Sequence, residues 1–475
     1  MNIVFYDFET TGVDVDFDQI IQVGAILINE KFEEQDRIDL RCRLNPGVVP
    51  SAAALLVNKT PILSLLEEKL SHYQMIEKLR NKFQEWSPAV FIGWNNIHFD
   101  EVMLRQALCK NLRELYITNT KGNRRSDALL IARAAEAFSP NSIKIPKNDK
   151  GKPTFKLDLI APENGIKDFE AHTAIGDVQA TIGMARLLKK NAPFVWEKAR
   201  ISREPDKIQE IFEEEIFYCA IFPWWREVFA VTHAGVNENN EKEIALFDLR
   251  YDPEEFFKYS LDDIYEELLK KDLPKKNAKI KTIKINHFPI FMEGKHANGQ
   301  EEYAKIGIDV LEKRAEKIRQ NKNFQKKVGK ALTKRDKKKR KGYPRVYPEQ
   351  LLYDKFPSNP DKICMSKFHN ADWDDKLAFA SNMEDEKLAR YGKRIIFYES
   401  PDSLSDKDRS EVEKDIWKYT IETRWVSRCR GDDIKQEFYK VANKADDDGD
   451  QDALEKLEAL ELLWEDIAKK CKGLS

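Results

Sequence analysis

The chain has 475 residues, more than a single hydrophobic core usually organises, so we expect two or three domains. Hydrophobic residues make up 41% of the chain, enough for ordinary globular cores, and 34% of the residues are charged. Because 80 Lys and Arg nearly balance 82 Asp and Glu, the net charge of -2 excludes a uniformly basic chain but leaves room for local basic patches.

Membrane segments and cysteine-based sites are not expected. No 18 apolar residues run together, and the first residues lack the pattern of a secretory signal, so the sequence predicts a soluble, cytoplasmic protein without a membrane partner. The six cysteines lie far apart and no two have CxxC spacing, so neither a zinc site nor a disulfide framework is indicated.

Residues 1–195 have the pattern of an α/β domain. Three β-rich segments follow one another with short connections, which predicts an antiparallel meander, and AVFIGW predicts a later strand. One helical segment starts at Asp100, a residue type that favours the N-cap position. The meander segments are IVFYDFE, IIQVGAILI and DRIDLRCRL, and the most regular helical segments are DEVMLRQALCK, SDALLIARAAEAF and HTAIGDVQATIGMARLLKK.

Two further regions follow a predicted linker at 199–207. Short β-rich runs and one helix, SLDDIYEELLK, place a small β-rich domain at 200–347, and amphipathic helical patterns fill an all-α region at 348–475. The acidic run at 446–450 lacks the carboxylate that the first position of a calcium-binding loop requires, so it predicts a solvated turn between two helices.

A strongly basic run stands at 313–345. It holds 16 Lys and Arg, against Glu316 and Asp336 as its only acidic residues. Such a run is typical of a solvated helix and linker, and it is equally compatible with a surface that neutralises the phosphates of a nucleic-acid strand. The sequence leaves both interpretations open.

Two carboxylates stand two residues apart in the first predicted strand. Asp7 and Glu9 leave the same face of a strand because side chains alternate with a period of two. Two carboxylates on an otherwise apolar part of a sheet are costly unless a cation neutralises them. Oxygen ligands of this type suit Mg²⁺ or Mn²⁺, so the pair predicts a divalent-metal site.

Further candidates lie later in the same domain. Asp100 stands at a strand-to-helix junction in FIGWNNIHFDE, and EAHTAIGDVQA supplies His172 and Asp177. Five residues along a helix correspond to about 500°, so two helical side chains at this spacing would diverge. We therefore expect His172 in the loop before the helix and Asp177 within it.

These motifs carry a family resemblance. DFET, the aspartate of HFD, and the H-x4-D spacing of HTAIGD resemble the DEDDh exonuclease superfamily, and their order and spacing are a much stronger signal together than D-x-E alone. NDKGKPTFKLDLIAPENGI, KINHFPIFM and PEQLLYDKF resemble segments of the bacterial exonuclease I family across nearly the whole chain.

The resemblance implies a fold and an activity. The fold would be an α/β ribonuclease H-like exonuclease domain with a mixed sheet, followed by a β-rich SH3-like domain and an all-α C-terminal domain. The activity would be 3′→5′ hydrolysis of single-stranded DNA to nucleoside 5′-monophosphates in DNA repair and recombination. The resemblance also implies a monomer whose further domains keep the strand bound, with a single-stranded DNA-binding protein as a partner.

It also implies roles for the five candidates. Asp7, Glu9 and Asp177 would hold two Mg²⁺ ions, for which Mn²⁺ can substitute, and Asp100 would reach one of them directly or through water. Two such cations can stabilise the attacking and the leaving oxygen of a phosphoryl displacement. His172 would be the general base, since the ordinary histidine pKa of about 6.5 suits proton transfer near neutral pH.

The resemblance also implies a second set of residues that would bind the strand, and a positive groove with aromatic platforms is what holds single-stranded nucleic acid. Two of them, Arg105 and Arg133, could instead be ordinary exposed helix arginines, and the aromatics of IFPWWREVF, with Trp224, could instead be core or interface residues. The complete predicted set is Glu9, Thr10, Arg105, Tyr116, Arg133, Lys156, Trp225 and Arg226.

Two other functions remain open at this point. One is a DEDDh exoribonuclease or proofreading-type nuclease, which the first domain alone does not exclude, although the segments after residue 200 argue against it. The other is a non-catalytic single-strand nucleic-acid-binding protein, which would have no reason to keep a complete set of metal ligands. Within the main interpretation, His98 competes with His172 as the base because it lies two residues before Asp100.

Overall fold

The first strand of the chain lies at the centre of a mixed sheet in the computed structural model, which describes residues 2–58, 60–201, 212–222, 227–269, 278–341, 347–420 and 432–472. The strands of this sheet are β1 (Asn2–Thr10), β2 (Ile20–Ile28), β3 (Glu34–Arg41), β4 (Ala89–Gly93) and β5 (Arg124–Asp127), in the spatial order β3-β2-β1-β4-β5. The pairs β1–β2 and β2–β3 are antiparallel, so the predicted meander is confirmed. The pairs β1–β4 and β4–β5 are parallel, since helices cross over between these strands.

Helices surround this first sheet. They are α1 (Ala52–Val57), α2 (Ile62–Glu67), α3 (His72–Trp86), α4 (Asp100–Lys110), α5 (Ala128–Phe138), α6 (Leu157–Glu163), α7 (Ala174–Asn191) and α8 (Pro193–Ile201). Helices α4, α5 and α7 lie where the sequence predicted them. The linker predicted at 199–207 is wrong for its first part, because α8 is anchored by the buried Val195 and Trp196 and continues through residue 201. Residues 202–207 lie outside the described ranges.

Alternate side chains of β1 face two different cores. Tyr6 belongs to the apolar cluster on one face of the sheet, and Phe5 belongs to the cluster on the other. Because side chains alternate along a strand, Asp7 and Glu9 share the face of Phe5. Helix α7 contacts both β1 and β2, and residues of α7 belong to the same cluster as Phe5.

A second sheet forms the centre of the chain between residues 212 and 341. Its strands are β6 (Tyr218–Ile221), β7 (Phe229–Asn237), β8 (Asn240–Asp248), β9 (Ile280–Lys284) and β10 (Ile290–Glu293), in the antiparallel order β10-β6-β7-β8-β9. The accompanying helices are α9 (Glu254–Phe257), α10 (Leu261–Leu269), α11 (Glu301–Ala304), α12 (Ile308–Gln320) and α13 (Lys322–Lys341). The predicted β-rich region and its SLDDIYEELLK helix, which is α10, are therefore confirmed.

The basic run at 313–345 is largely helical through residue 341 and packs against the second sheet. Ile318 is fully buried, and Arg335 forms a buried ion pair with Glu243 at 2.7 Å. Part of the run therefore supports the fold. Lys326 stays exposed, and a contact between such lysines and a nucleic-acid strand remains a prediction.

The last region is helical, as the amphipathic patterns predicted. Its helices are α14 (Asn359–Asn370), α15 (Lys376–Ser381), α16 (Glu386–Glu399), α17 (Asp406–Thr420), α18 (Asp432–Asp447) and α19 (Gln451–Lys472). The predicted turn between two helices is confirmed at 448–450, where Gly449 takes the left-handed backbone conformation with φ of 67°. Within the described ranges, no helix combines the length and the apolar content needed to span a lipid bilayer.

The first and last regions share one apolar core. Ile21 on β2 and Leu55 on α1 are buried in the same cluster as Ile416 and Trp417 on α17 and Leu460 on α19. The second sheet, in turn, packs against α5 and α8 of the first region. The three regions are therefore connected by apolar contacts in addition to the chain itself.

Candidate active site

The two carboxylates of β1 stand at the centre of the candidate site. Asp7 pairs with Gly24 across the β1–β2 ladder, and Glu9 pairs with Gln22. Glu9 is buried, whereas Asp7 is partly exposed. Both side chains leave the same face of the sheet, as their spacing predicted, and α7 covers that face.

Gly24 allows α7 to approach the sheet closely. A Cβ atom at this position would lie 2.5 Å from the backbone carbon of Ala174, so only glycine fits. Thr173 caps the helix by accepting a hydrogen bond from the Gly176 backbone nitrogen at 3.2 Å. The close contact and the cap together bring the first turn of α7, which carries Asp177, to the edge of β1.

Three of the predicted metal ligands come together as a result. Asp7, Glu9 and Asp177 each offer a carboxylate oxygen, and these oxygens all lie within 4.8 Å of one another. The residues come from two elements that are about 170 positions apart in the chain. The family resemblance implied this set, and the fold places its members in one cluster.

The electrostatics of the cluster fit a divalent cation. Burial first, and then the neighbouring carboxylates, raise the pKa of Asp7 well above its usual value. Burial and the charge of Asp177 raise the pKa of Glu9 to about 7, although Arg41 acts in the opposite direction. Carboxylates that repel one another in a buried site are stabilised by a hard cation, and their oxygens are the ligands that Mg²⁺ and Mn²⁺ prefer.

Asp100 lies beside this cluster, and one prediction about it is wrong. It is the first residue of α4, and the N-cap is Phe99, which makes no side-chain cap. The Asp100 side chain is turned instead toward β1, where its Oδ1 accepts a hydrogen bond from the Phe8 backbone nitrogen at 3.1 Å. Asp100 is 4% exposed, and its charge is the largest electrostatic influence raising the pKa of Asp7.

His172 lies in the loop before α7, with a left-handed backbone φ of 66°. Its backbone nitrogen donates to Asp177 Oδ1 at 3.3 Å, so the backbone of His172 is held beside the acidic cluster. The ring Nε2 lies 4.0 Å from Asp158 Oδ2, and a third of the side chain is exposed. Asp158, in the first turn of α6, was not predicted from the sequence, because no local spacing relates it to His172.

The competing base, His98, lies in a different environment. Its ring packs against that of His287 from the second region, with centroids 5.3 Å apart. Burial, with a smaller contribution from the positive charge of Arg133, lowers the pKa of His98 to about 4. An imidazole of such low pKa is a weak base near neutral pH, which argues against the alternative that His98 is the base.

Arg105, a predicted strand contact, is held by three neighbours. Its Nη2 lies 3.1 Å from Glu101 Oε2, and its Nη1 donates to the Tyr353 hydroxyl at 3.3 Å. The guanidinium also lies over the Tyr116 ring, 5.0 Å from the centroid. The side chain is only 13% exposed. Arg105 is therefore a partly buried residue held by several side chains, and not an ordinary exposed helix arginine.

Three aromatic residues around Arg105 form a surface that we call the aromatic patch: Tyr116, Tyr353 and Phe356. The rings of Tyr116 and Phe356 are 6.2 Å apart, and Phe356 and Tyr353 are 66% and 50% exposed. Only Tyr116 was predicted. The other two both belong to PEQLLYDKF, a segment that carries the family resemblance but was not predicted to contact the substrate.

The remaining predicted strand contacts are dispersed. Arg133 lies 5.9 Å from the centre of the Phe155 ring, and Lys156 is exposed immediately before α6. Thr10 is buried, and its hydroxyl donates to the Gly12 carbonyl at 2.7 Å, so this group is used within the fold. Trp225 and Arg226 lie outside the described residues, as does Trp224.

Comparison with known proteins identifies the family. Residues 4–185 match the family model described as "Exonuclease", and residues 216–334 match the model of the exonuclease I SH3-like domain. Together the two matches cover more than half of the chain. The chain belongs to the exonuclease I family. The domain bounds of 1–195, 200–347 and 348–475 remain predictions. The first two of these ranges each contain one of the matched segments.

Curated members of this family have similar sequences. The exodeoxyribonucleases I of Buchnera aphidicola from Schizaphis graminum and from Acyrthosiphon pisum are 29% and 30% identical, over 47% and 52% of this chain. These alignments span 46% and 62% of the two relatives' own lengths. The Haemophilus influenzae enzyme is 26% identical over 82% of this chain and 83% of its own length.

Solved exonuclease I structures share the fold over nearly the whole chain. The enzyme from Methylocaldum szegediense superposes with a TM-score of 0.83 at 22% identity, covering 100% of this chain and 99% of its own. Escherichia coli exonuclease I, solved in complex with a dT13 oligonucleotide, also gives 0.83, at 21% identity and 98% and 99% coverage. The mixed exonuclease sheet, the SH3-like region and the helical C-terminal region are therefore the family fold.

Proposed function

We propose that this chain is an exonuclease that hydrolyses single-stranded DNA from its 3′ end and releases nucleoside 5′-monophosphates. The observation that carries the proposal is the cluster of Asp7, Glu9 and Asp177, with Asp100 and His172 beside it. Relatives named exodeoxyribonuclease I support a DNA substrate. A binding protein without catalysis would gain nothing from so costly a group of buried carboxylates.

The metal ligands would be Asp7, Glu9 and Asp177. Asp100 would be a further ligand, or it would accept a hydrogen bond from a water molecule bound to the metal. Two divalent ions, Mg²⁺ or in its place Mn²⁺, would supply a polarised phosphate and stabilisation of the charge that develops on its oxygens. The fold holds these carboxylates close together despite their mutual repulsion, because α7 packs closely against β2 at Gly24, the residue opposite Asp7.

His172 would take the proton of the attacking water. Its Nε2 is the ring nitrogen that faces Asp158, and the carboxylate at 4.0 Å would stabilise the positive charge that the imidazole acquires. The partial exposure of His172 gives water access to the ring. The bond from its backbone nitrogen to Asp177 keeps this base beside the cluster.

The aromatic patch supports a single-stranded substrate. Unpaired bases can stack on exposed aromatic rings, whereas bases in a duplex are already stacked on one another. Arg105 lies among these rings and adds positive charge. E. coli exonuclease I was solved with single-stranded oligonucleotides, which agrees with such a surface. We include Glu9, Thr10, Arg133, Lys156, Trp225 and Arg226 among the proposed contacts.

We further propose that the protein acts as a monomer in the cytoplasm, in DNA repair and recombination. A structural relative is described as an exonuclease I complex with the C-terminal segment of SSB, which supports a single-stranded DNA-binding protein as a partner. The described residues contain no helix that could span a membrane, which is compatible with this location.

The test is a nuclease assay on oligonucleotides with a blocked 3′ end or a blocked 5′ end, with and without Mg²⁺. We expect mononucleotide release from 5′-blocked single-stranded DNA, none from 3′-blocked DNA, and none without metal. Single-stranded RNA and duplex DNA serve as parallel substrates. Cleavage that needs a free 5′ end would overturn the proposed polarity, and faster cleavage of RNA would favour the exoribonuclease alternative.

A further inference from the structure

Glu101, the residue after Asp100, is fully buried and surrounded by hydrogen-bond donors. Arg125 and Arg105 both form ion pairs with its carboxylate, at 3.0 and 3.1 Å. The negative charge of Glu101 is therefore paired within the fold. The donors to its carboxylate are the Tyr6 hydroxyl at 2.7 Å, Thr118 Oγ1 at 2.9 Å, Arg125 Nη1 at 3.0 Å and Arg105 Nη2 at 3.1 Å.

Tyr6 connects Glu101 to strand β1. Its hydroxyl accepts a hydrogen bond from Asn96 Nδ2 at 3.1 Å and donates its own proton to Glu101 Oε1, so the direction of the second bond is fixed. The ring is buried beside Phe83 and Phe91, with centroids 5.7 and 6.3 Å away. The phenol therefore has little freedom to move away from Glu101.

This hydrogen bond lies next to two carboxylates of the site. Tyr6 precedes Asp7 in β1, and Glu101 follows Asp100 in α4, so the bond joins the two elements that carry these acids. Asp100 makes its own contact with β1 through the Phe8 backbone nitrogen. A shift of α4 along β1 would break a buried hydrogen bond to a charged group, which is one of the stronger kinds of hydrogen bond in proteins.

We propose that Glu101, acting through Tyr6, is a positioning residue that holds Asp100 at the distance from Asp7 that divalent-metal binding requires. This inference deepens the proposed function and rests on it, because Asp7 and Asp100 bind metal only in that account. Residues that hold metal ligands in place without touching the metal commonly change metal affinity by roughly 10- to 100-fold when substituted.

The first test is Tyr6→Phe, which removes one hydroxyl and keeps the packed ring. Mn²⁺ binding to the purified full-length protein, measured calorimetrically without DNA, should weaken by about tenfold. The kcat on single-stranded DNA should fall, while its KM stays near the wild-type value because the aromatic patch is unchanged. A merely structural role would lower thermal stability and leave the Mn²⁺ affinity unaltered.

Tyr303→Phe is the matched control. Tyr303 is also buried, and its hydroxyl donates to the buried carboxylate of Asp248 at 2.8 Å, but it lies in the second region. This variant should lose comparable stability and keep the wild-type Mn²⁺ affinity. An equal Mn²⁺ affinity for the Tyr6→Phe and Tyr303→Phe proteins would overturn the inference. A wild-type protein that binds no Mn²⁺ would overturn the proposed function itself.

A second pair of variants keeps the inference testable if Tyr6→Phe does not fold. Glu101→Gln retains an oxygen that can accept the Tyr6 hydroxyl, whereas Glu101→Ala removes it. Mn²⁺ affinity should therefore decrease in the order wild type, Glu101→Gln, Glu101→Ala. Wild-type Mn²⁺ affinity in Glu101→Ala would contradict the inference.

Discussion

Asp7 lies directly opposite Gly24 in the β1–β2 ladder, so a predicted metal ligand faces the residue that admits helix α7 to the sheet. The absence of a side chain at Gly24 lets the backbone of Ala174 approach to within van der Waals contact. Asp177, three residues further along α7, reaches Asp7 and Glu9 for this reason. The acidic cluster thus depends on a residue that carries no functional group.

Gly24→Ala should therefore disrupt the site. The added methyl group would force α7 away from β2, which costs about 1–3 kcal/mol in an overpacked core. It should also weaken Mn²⁺ binding, because Asp177 moves with the helix. Calorimetric titration with Mn²⁺ and a thermal melt measure the two effects. Gly299→Ala is the control, since nothing lies within 4 Å of a Cβ at that position; equal behaviour of the two variants would refute this account.

The metal-free protein should lose stability as the pH rises. The pKa of Glu9 is raised from 4.5 to about 7, so the folded state holds a proton that the unfolded state has released. Protonated Glu9 therefore contributes on the order of 3 kcal/mol to the free energy of unfolding. This contribution is fully present below pH 4.5 and is lost as the pH rises through 7. Melting curves in EDTA at pH 5 and pH 8 measure this.

Added Mg²⁺ should reverse this trend, because cation and proton compete for the same carboxylates. The rise in melting temperature on adding Mg²⁺ should be larger at pH 8 than at pH 5. The Asp7→Asn variant, which removes one of the repelling charges, should show a weaker pH dependence in EDTA. A metal-induced stabilisation of equal size at both pH values would contradict the assignment of Glu9 as a ligand.

Removing Asp7 altogether should separate catalysis from folding. Asp7→Ala should abolish metal-dependent cleavage, because a central carboxylate of the cluster is lost, and leave the fold and part of the DNA affinity intact. Circular dichroism, a DNA-binding titration and the nuclease assay measure these three properties. Substantial residual cleavage would reject the role of Asp7.

Asp158→Asn should slow catalysis without weakening DNA binding. The substitution removes the carboxylate that faces His172 Nε2 at 4.0 Å, so the protonated imidazole loses its stabilising charge. We expect kcat to fall on the order of tenfold, with KM unchanged. Asp168→Asn, an exposed position in the same part of the chain, is the control. A change in KM alone would assign Asp158 to strand binding instead.

Phe356→Ala should mainly raise the KM for single-stranded DNA. Loss of a stacking surface costs about 1–3 kcal/mol per base, and the 66% exposure of Phe356 means that the fold does not depend on it. Steady-state kinetics on a single-stranded oligonucleotide measure the effect. Tyr439, an aromatic residue that is 58% exposed on α18, provides the control substitution to alanine; an unchanged KM in Phe356→Ala would exclude the aromatic patch from binding.

The sequence predicted what depends on short-range pattern. The meander, helices α4, α5 and α7, and the placement of His172 before α7 follow from periodicity and spacing. The convergence of Asp7, Glu9 and Asp177 was expected from the family resemblance, and the residues alone indicated only the first pair. Each of these features is encoded within a few neighbouring residues or a known order of motifs.

Features that depend on tertiary contacts were missed or predicted wrongly. Asp100 was predicted to be an N-cap, but its side chain accepts a hydrogen bond from the Phe8 backbone nitrogen instead of capping α4. Tyr353 meets Arg105 across nearly 250 residues, and no local pattern relates the two. The residues next to Glu101 in α4 do not mark it as buried, and only partners distant in the chain, such as Tyr6 on β1 and Arg125 on β5, distinguish it from a surface glutamate.

The apolar core shared by β2 and the last helices has a thermodynamic consequence. Ile21, three residues before Gly24, packs in the same cluster as Trp417 and Leu460. Unfolding of the C-terminal helices would therefore expose apolar residues of the first sheet to water. Calorimetry should accordingly record one joint unfolding transition instead of separate peaks. Heat damage that begins at the far end of the chain would thus reach the carboxylates of the candidate site without an intermediate in which that site is still intact.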